Sequence, residues 1–388
     1  MRKTKKTIVA AALTGVFATA AHAQSSVALY GLIDAGVTYA NNQAGHSSWQ
    51  QTSGTVNGSR WGLRGAEDLG GGLKAVFTLE NGFSISNGSA LQNNRLFGRQ
   101  AFVGLASDAF GSVTLGRQYD SVIDFVAPIS LTASPYGGTI AAHPFDNDNL
   151  NSTIRINNSV KFTSANYGGF KFGALYGFSN TAGEFANNRA YSAGASYRYG
   201  GLNVGVGYLQ LNNDINHLAT STSSPGAVTG SAPFAAGTQR TAGAGVGYTV
   251  GPVTAGVVYT QTNLSNALGG SISAAQAGTA LPIRLQANSA RLQNIEGNVR
   301  YALTPMLTLA GSYTYTRTNF GAGENPNFNQ VNLQAQYAMS KRTSVYLQGD
   351  WQHVSANPYG VGAHLNGLNS ASATQDQVAV STGLRHTF

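Results

Sequence analysis

Between Asp376 and Phe388 the chain alternates strictly: Val378, Val380, Thr382, Leu384, His386 and Phe388 fall on one face, and Gln377, Ser381, Arg385 and Thr387 on the other. An extended strand with one apolar face, ending in an aromatic residue, and one polar face is what a membrane-spanning β-barrel requires. Lipid covers the apolar row and water the polar one. A chain built from many such strands can close only as an antiparallel barrel, because in lipid an open sheet edge would leave backbone groups unpaired.

The amino terminus agrees. Met1-Arg2-Lys3-Thr4-Lys5-Lys6 is followed by the apolar run Ile8 to Ala21 and by Ala21-His22-Ala23, a small-residue cleavage pattern. Residues 1–23 read as a secretory signal peptide, so the mature chain is expected to begin at Gln24. The leader carries four of the 23 basic residues and no acid, which leaves 19 bases against 15 acids, a net charge of +4. The remaining charges are scattered singly rather than gathered in a stripe, which argues against nucleic acid as a partner. With no cysteine in the chain, neither a disulfide framework nor a thiolate metal site is available. No run of about eighteen apolar residues follows the leader, so no membrane helix is expected. Charged residues make up 10% of the chain, against roughly a quarter in ordinary soluble domains.

After Gln24 the alternation recurs in segments of about ten residues, the length at which a tilted strand crosses a bilayer. Val27, Leu29, Ile33, Ala35, Val37 and Tyr39 oppose Tyr30, Asp34 and Thr38. Ala75, Phe77 and Leu79 oppose Lys74, Thr78 and Glu80, and Phe170, Phe172, Ala174, Tyr176 and Phe178 form another row. Val331, Leu333, Ala335 and Tyr337 oppose Gln330, Asn332, Gln334 and Gln336. These polar rows are too polar for the core of a β-sandwich. Short connections rich in Gly, Pro, Asp and Asn occur at 68–72, 107–111, 167–169, 200–201, 251–252, 304–305 and 340–342, as tight turns require. Long ones fall between them, near 41–56, 85–97, 119–154, 181–188, 213–238, 264–289, 319–327 and 355–374. Seven short and eight long connections imply an all-β, sixteen-stranded transmembrane antiparallel barrel with turns on one side and loops on the other.

Several segments carry a family resemblance. Ser26-Val27-Ala28-Leu29-Tyr30-Gly31-Leu32-Ile33-Asp34, the stretch Ser59 to Gly70 (SRWGLRGAEDLG), Gly116-Arg117-Gln118-Tyr119-Asp120 and the ending Leu384-Arg385-His386-Thr387-Phe388 resemble those of general porins of Gram-negative outer membranes, the beta-proteobacterial branch above all. The resemblance covers essentially the whole chain after residue 23. It implies a water-filled channel for passive diffusion of small hydrophilic solutes and ions, and an outer-membrane location. It further implies a homotrimer, contact with outer-membrane lipid and lipopolysaccharide, delivery by the barrel-assembly machinery, and no cofactor or metal. Phe388 would serve as the assembly signal.

In that family the third external loop folds into the lumen, and here the third long connection, about 119–154, is the longest of the eight. It carries Asp120, Asp124, Tyr136, Asp146 and Asp148. The family's barrel-wall arginines, which face this loop, match Arg60, Arg99 and Arg155. Parity agrees for two of them: Arg60 shares a row with Gly62 and Arg64, opposite Trp61 and Leu63, and Arg155 one with Asn157, Ser159, Lys161 and Thr163. A charge on the lipid face would cost about 2–4 kcal/mol near the midplane. For Arg99 parity allows either face, since Ala101, Val103 and Leu105 share its row. Some porins carry Pro-Glu-Phe-Gly-Gly in the inward loop, whereas this chain reads Pro135-Tyr136-Gly137-Gly138, without the acid. Arg60, Arg64, Arg99, Arg155 and Lys161 opposite a loop poor in Glu point to anion preference.

Three other functions compete with the diffusion channel. An enzymatic barrel would need a nucleophile with a histidine and an orienting group, but no Gly-x-Ser-x-Gly or His-Glu-x-x-His occurs, and of His46, His143, His217, His353, His364 and His386 only His353 and His386 fall on expected strands. An adhesin's anchor would leave room for a passenger, whereas strand pattern begins within a few residues of the cleavage site. A substrate-specific channel for sugars or phosphate stays open, with Tyr119, Tyr136 and Phe145 in the inward loop as candidate path-lining aromatics, although packing the loop against the wall suits them too.

Overall fold

The computed structural model describes residues 26–213, 226–228, 232–267, 272–274, 283–284, 288–321, 325–355 and 361–388. The expected leader at 1–23, His217 and parts of the connections 213–238 and 264–289 lie outside the described residues.

The strands in chain order are β1 Ser26–Gln43, β2 His46–Ser53, β3 Arg60–Gly70, β4 Leu73–Gly82, β5 Gln100–Ser107, β6 Gly111–Gln118, β7 Ile156–Ser164, β8 Phe170–Gly177, β9 Arg189–Tyr199 and β10 Leu202–Asn212. There follow β11 Ala236–Val250, β12 Val253–Ala267, the two-residue pair β13 Ser273–Ala274 and β14 Ile283–Arg284, then β15 Ser289–Ala302, β16 Leu307–Asn319, β17 Asn327–Ala338, β18 Thr343–Val354 and β19 Asp376–Thr387. Seventeen of these form one antiparallel sheet. β2 and β3 both pair with β1, through Ala35–Gln43 and Ser26–Leu32 respectively, so they are two halves of one wall strand and the barrel has sixteen. The sheet closes where β1 meets β19, from Leu32↔Thr387 to Ala40↔Ala379. Closure leaves no edge, which is why such a sheet persists in lipid.

The first long connection, expected at 41–56, is mostly strand. β1 and β2 meet at Ala44-Gly45, with φ of 51° and 94°, and only 54–59 leaves the ladder. This hairpin carries Asn, Gln, Ser and Thr on both faces, so it shows no apolar period to read; above the membrane a strand needs none. At the break the Asp34 carboxylate accepts the N–H groups of Val56 (3.0 Å) and Asn57 (2.7 Å), satisfying donors that the ladder has dropped.

Outward rows are apolar, with Val27 64% and Leu29 61% exposed, and tyrosines such as Tyr197, Tyr199, Tyr248, Tyr301 and Tyr337 crowd the short-turn end, as an interfacial girdle does. At the seam the Gly31 N–H donates to the Phe388 carbonyl (3.0 Å) and the Phe388 N–H to the Gly31 carbonyl (3.1 Å). The Phe388 ring fills the space over Gly31, where an added Cβ would lie 2.3 Å from Cζ. Deleting Phe388 is expected to lower the yield of folded barrels severalfold while leaving the conductance of those that form unchanged; heat-modifiable mobility on gels and single-channel recording check the two halves.

The lumen holds its own apolar core, which the sequence reading of polar inward rows did not include. Leu175 (β8), Leu209 and Leu211 (β10) and Val258 (β12) are buried against Val122, Val126, Ile129, Leu150 and Ile154 of the 119–155 segment. Each such side chain contributes about 1.5–3 kcal/mol on burial. The wall beneath is glycine. A Cβ at Gly205 would lie 1.9 Å from the Phe125 carbonyl oxygen, and one at Gly194 2.6 Å from the Phe125 ring. Bare backbone there is what lets the segment lie flat on β9 and β10. Gly205→Val is therefore expected to form a barrel whose loop cannot seat, with larger and noisier single-channel conductance; wild-type conductance from this variant would contradict that seating.

Candidate functional site

The segment between β6 and β7 leaves the wall at Gln118 and returns at Ile156. Asp120 caps the short helix α1, Ser121–Phe125, accepting the N–H groups of Val122 (2.7 Å) and Ile123 (3.4 Å). Beyond it, apart from single 3-10 turns at Ala127–Ile129 and Pro144–Asp146, the segment is irregular, and carbonyls that no turn satisfies would be orphaned without side-chain donors. The inward amides supply them. Asn298 donates to the Ile129 carbonyl (3.0 Å), Gln334 to Pro135 (3.1 Å), Gln348 to Gly137 (2.9 Å), Gln330 to Ile140 (3.3 Å) and Ala142 (3.2 Å), and Asn366 to Ala142 and His143 (both 3.0 Å). The Asn/Gln rows of β17 and β18 thus act as a rack of donors for one inward segment.

A buried ionic triad fastens the middle of the segment. His143 Nδ1 lies 2.6 Å from Asp148 Oδ2 and Nε2 lies 3.0 Å from Glu296 Oε2 on β15. Glu296 also accepts the Leu131 N–H (2.7 Å) and the hydroxyl of Ser130 (2.5 Å). Burial alone would depress the His143 imidazolium, but the carboxylates against its two nitrogens push it up to about 10, so the ring is charged at neutral pH. No spacing signal marked this triad, because its members come from two distant parts of the chain.

The acids singled out in the segment are turned to its own architecture. Asp120 also accepts from Asn149 (2.7 Å). Asp146 accepts the N–H groups of Asn151 (2.9 Å) and Thr153 (3.0 Å), and Asp148 accepts the Thr260 hydroxyl (2.6 Å) beside His143. Asp120, Asp146 and Asp148 are fully buried. Asp124 pairs with Lys161 Nζ at 2.5 Å. Tyr136 is half-buried, in the stretch that Gln334 and Gln348 tether.

The bases belong to the wall strands and their ends. Arg99 Nε is 2.7 Å from Glu80 Oε1 and Arg60 Nε is 3.8 Å from Glu80 Oε2, while the Tyr30 hydroxyl donates to the same carboxylate (3.0 Å). Parity left Arg99 open, and a bulge places it. Its N–H donates to the Glu80 carbonyl (3.1 Å) although Gln100 is Glu80's register partner, so two residues face one and Arg99 turns inward while Val103 and Leu105 stay exposed outside. The Arg155 guanidinium sits 5.4 Å over the Tyr119 ring, and Arg64 5.2 Å over that of Tyr30, contacts that hold a cation without neutralising it.

Two cavities follow. One, of about 900 Å³, opens toward the long loops and is lined by Arg60, Arg99 and Arg155 together with Ile123, Pro128, Thr132 and Thr153 of the inward segment. The other, of about 620 Å³, opens toward the short turns and is lined by Arg64 and Lys161 with Thr78, Gln100, Thr114 and Gln118. Among the described residues, no carboxylate-bearing one lines either cavity. Arg300 on β15 and Arg385 on β19 share the inward rows with Glu296 and Ser381; they were not singled out from the sequence, although their parity is the same signal that marked Arg60.

The profile of the Gram-negative porin family matches residues 9–357. Among curated proteins, the chain is 40% identical over 238 residues to an outer membrane porin protein of Bordetella pertussis, covering 55% of this chain and 61% of that one. It is 36% identical over 226 residues to outer membrane porin protein 32 of Delftia acidovorans, covering 56% and 62%. The matched part therefore spans less than two thirds of these relatives' length. Among solved structures, an anion-selective porin from Comamonas acidovorans superposes with a TM-score of 0.72 at 23% identity, covering 94% of this chain and 100% of that one. The trimer form of OmpT from Vibrio cholerae gives 0.65 at 16% identity, covering 94% and 99%. At those identities the likeness is one of fold.

Proposed function

Because this chain belongs to the Gram-negative porin family, we propose that it forms a water-filled channel across the outer membrane through which small hydrophilic solutes diffuse passively, anions ahead of cations. One observation supports the preference above the others. Arg60, Arg99 and Arg155 line the outer cavity and Arg64 and Lys161 the inner one, and among the described acids only Glu80, shared by two of these bases, and Asp124, against Lys161, pair with any of the five. Glu80 is shared by Arg60, Arg99 and Tyr30, and Asp34 is occupied by two backbone N–H groups and the Tyr346 hydroxyl. A passage lined by one sign of charge with low-dielectric walls concentrates ions of the other.

The segment 119–154 is the constriction in this reading. It borders the same cavity as Arg60, Arg99 and Arg155, contributing main chain and uncharged side chains rather than carboxylates. A homotrimer, association with lipopolysaccharide and delivery by the barrel-assembly machinery complete the proposal. The wall is low from β5 to β8, eight or nine residues each against fifteen in β11 and β12, and carries exposed Val103, Leu105, Val113 and Leu115 on β5 and β6, which suits a face between subunits.

Liposome swelling separates general diffusion from a substrate-specific channel. Rates that fall smoothly with the size of neutral sugars and rise linearly with concentration support diffusion; saturation by one sugar or by phosphate at low millimolar concentration would favour the specific channel.

A further inference from the structure

We propose that the inward faces of β17 and β18 form a site for a single alkali cation, sodium or potassium, held between the barrel wall and the inward segment. Four side chains make it. Asn332 lies opposite Asp350 in the ladder and Gln334 opposite Gln348, and none of the four is more than 4% exposed. Asn332 Nδ2 donates to Asp350 Oδ1 (2.7 Å), as does Gln348 Nε2 (3.3 Å), so the carboxylate and two of the amides touch. Gln348 also donates to the Gly137 carbonyl (2.9 Å), and Gln334 to the Pro135 carbonyl (3.1 Å) and to Gln336 Oε1 (3.3 Å). Each of these bonds fixes which way its amide is turned, since reversing any of the three would set oxygen against oxygen. What remains is all of one kind: Asn332 Oδ1, Gln334 Oε1, Gln348 Oε1 and Asp350 Oδ2 are buried and accept no hydrogen bond.

Charge decides what the four oxygens take. Among the described residues no basic group pairs with Asp350, and a buried carboxylate without a counter-charge is strongly disfavoured. A proton on Asp350 would supply one O–H, enough for one of the three amide oxygens, and would leave the other two bare. A water molecule has two hydrogens and no charge. A cation meets all four oxygens and the negative charge together. Oxygen donors without sulfur or imidazole select a hard ion, and a single carboxylate balances a single positive charge, whereas a divalent ion would leave the buried site with a net charge of its own. Calcium affinity follows the number of charged ligands, and here there is one. Among the described residues no three His, Cys, Asp or Glu stand together as metal ligands; these ligands are chiefly amides, which in sequence are simply part of a polar inward row. Because Gln334 and Gln348 also hold Pro135 and Gly137, the ion stiffens the tethers of the inward segment.

The test uses the folded full-length barrel in neutral detergent micelles, with sodium chloride as the probe and the relaxation of the sodium NMR signal as the readout. The wild type is expected to broaden the signal saturably, and potassium to reverse the broadening where the same concentration of N-methylglucamine does not. Asp350→Asn removes the charge and sets an NH2 among the neighbouring oxygens, so the barrel should keep its β-sheet circular dichroism and lose the saturable broadening. Asn332→Asp adds a second carboxylate, and calcium should then displace sodium at about tenfold lower concentration than in the wild type. Absence of saturable broadening in the wild type, or undiminished broadening in Asp350→Asn, would overturn the proposal. Displacement from the wild type by calcium far below the potassium concentration needed would overturn the alkali assignment in favour of a divalent site. If Asp350→Asn gives no folded barrel, the wild-type titration and the Asn332→Asp shift decide. The readout does not use conduction, so failure of the channel reading shows separately, as absence of current through the wild type.

Discussion

With Arg60, Arg99 and Arg155 all replaced by glutamine, and Glu80 by glutamine so that no buried carboxylate is left unpaired, the channel is expected to lose most of its preference for anions. The chloride-to-potassium permeability ratio should fall by about tenfold in dilute salt. The size follows from Coulomb's law: at about 6 Å a unit charge shifts a passing monovalent ion by about 0.7 kcal/mol in bulk water and about 3 kcal/mol at an effective dielectric of 20. It acts with opposite sign on anion and cation, and a narrowed, protein-lined passage lies between those limits. Of the five basic groups along the two cavities, these three line the cavity that the inward segment also lines. Because the Debye length is about 3 Å at 1 M ionic strength against about 10 Å at 0.1 M, the difference between wild type and variant should shrink in concentrated salt. Zero-current potentials across a potassium chloride gradient at both ionic strengths measure this directly.

Replacing His143 by alanine is expected to have the second large effect, on the inward segment rather than on ion choice. The substitution leaves Asp148 and Glu296 buried without their shared cation, and removing one member of a buried ionic group typically costs about 3–5 kcal/mol. The barrel wall does not depend on the triad, since its sheet closes through backbone ladders. The loss should therefore fall on the segment, which detaches from β15 and opens the lumen: mean conductance rises, current noise increases, and the β-sheet circular dichroism is retained. A variant that also carries Asp148→Asn and Glu296→Gln, which removes the stranded charges, should recover part of the quiet state.

The same triad sets an expected pH dependence. His143 is pushed up to about 10 from an ordinary value near 6.5, so its contribution is fully present below about 6.5 and is lost as pH rises through about 10. Asp146 adds to the trend. Burial first, then the neighbouring Asp148 carboxylate, pushes it up to about 7, so ionising it weakens the segment as pH climbs from the ordinary carboxylate range to about 7. Both effects loosen the segment at alkaline pH. Noise in the wild-type channel should increase between pH 7 and 10.5, whereas the His143→Ala channel, already loosened, should change little over that interval.

Barrel architecture was legible in the sequence because period-two alternation survives any local irregularity: Val331 to Tyr337 against Gln330 to Gln336 can face lipid and water in one way only. Turn residues at 200–201 and 251–252 then counted the strands. The hairpin from β1 into β2 was not legible, since a ladder polar on both faces has the composition of a loop. Nor was the lumen's apolar core, because Leu209 and Leu211 share their inward row with Gly205 and Gly207, and so few apolar side chains do not mark a buried face. They are instead the floor on which Val122 and Val126 rest. At the candidate site, Arg60 and Arg64 follow from parity, whereas the inward turn of Arg99 depends on a bulge that no composition announces. The four loop acids could be counted but not oriented. Whether a carboxylate faces the lumen or caps a turn depends on the path of the segment, and that path is set by amide donors more than a hundred residues away.

The measurement that bears most directly on the central claim is the zero-current potential of the wild-type channel in a planar bilayer between 10 and 100 mM potassium chloride, within the concentration range where screening is weak. With the arginine-lined passage as described, the dilute side settles at a negative potential, as excess chloride flux from the concentrated side requires. A positive potential on the dilute side would mean that potassium passes more readily, and would contradict the assignment of Arg60, Arg99 and Arg155 as the groups that select the permeant ion.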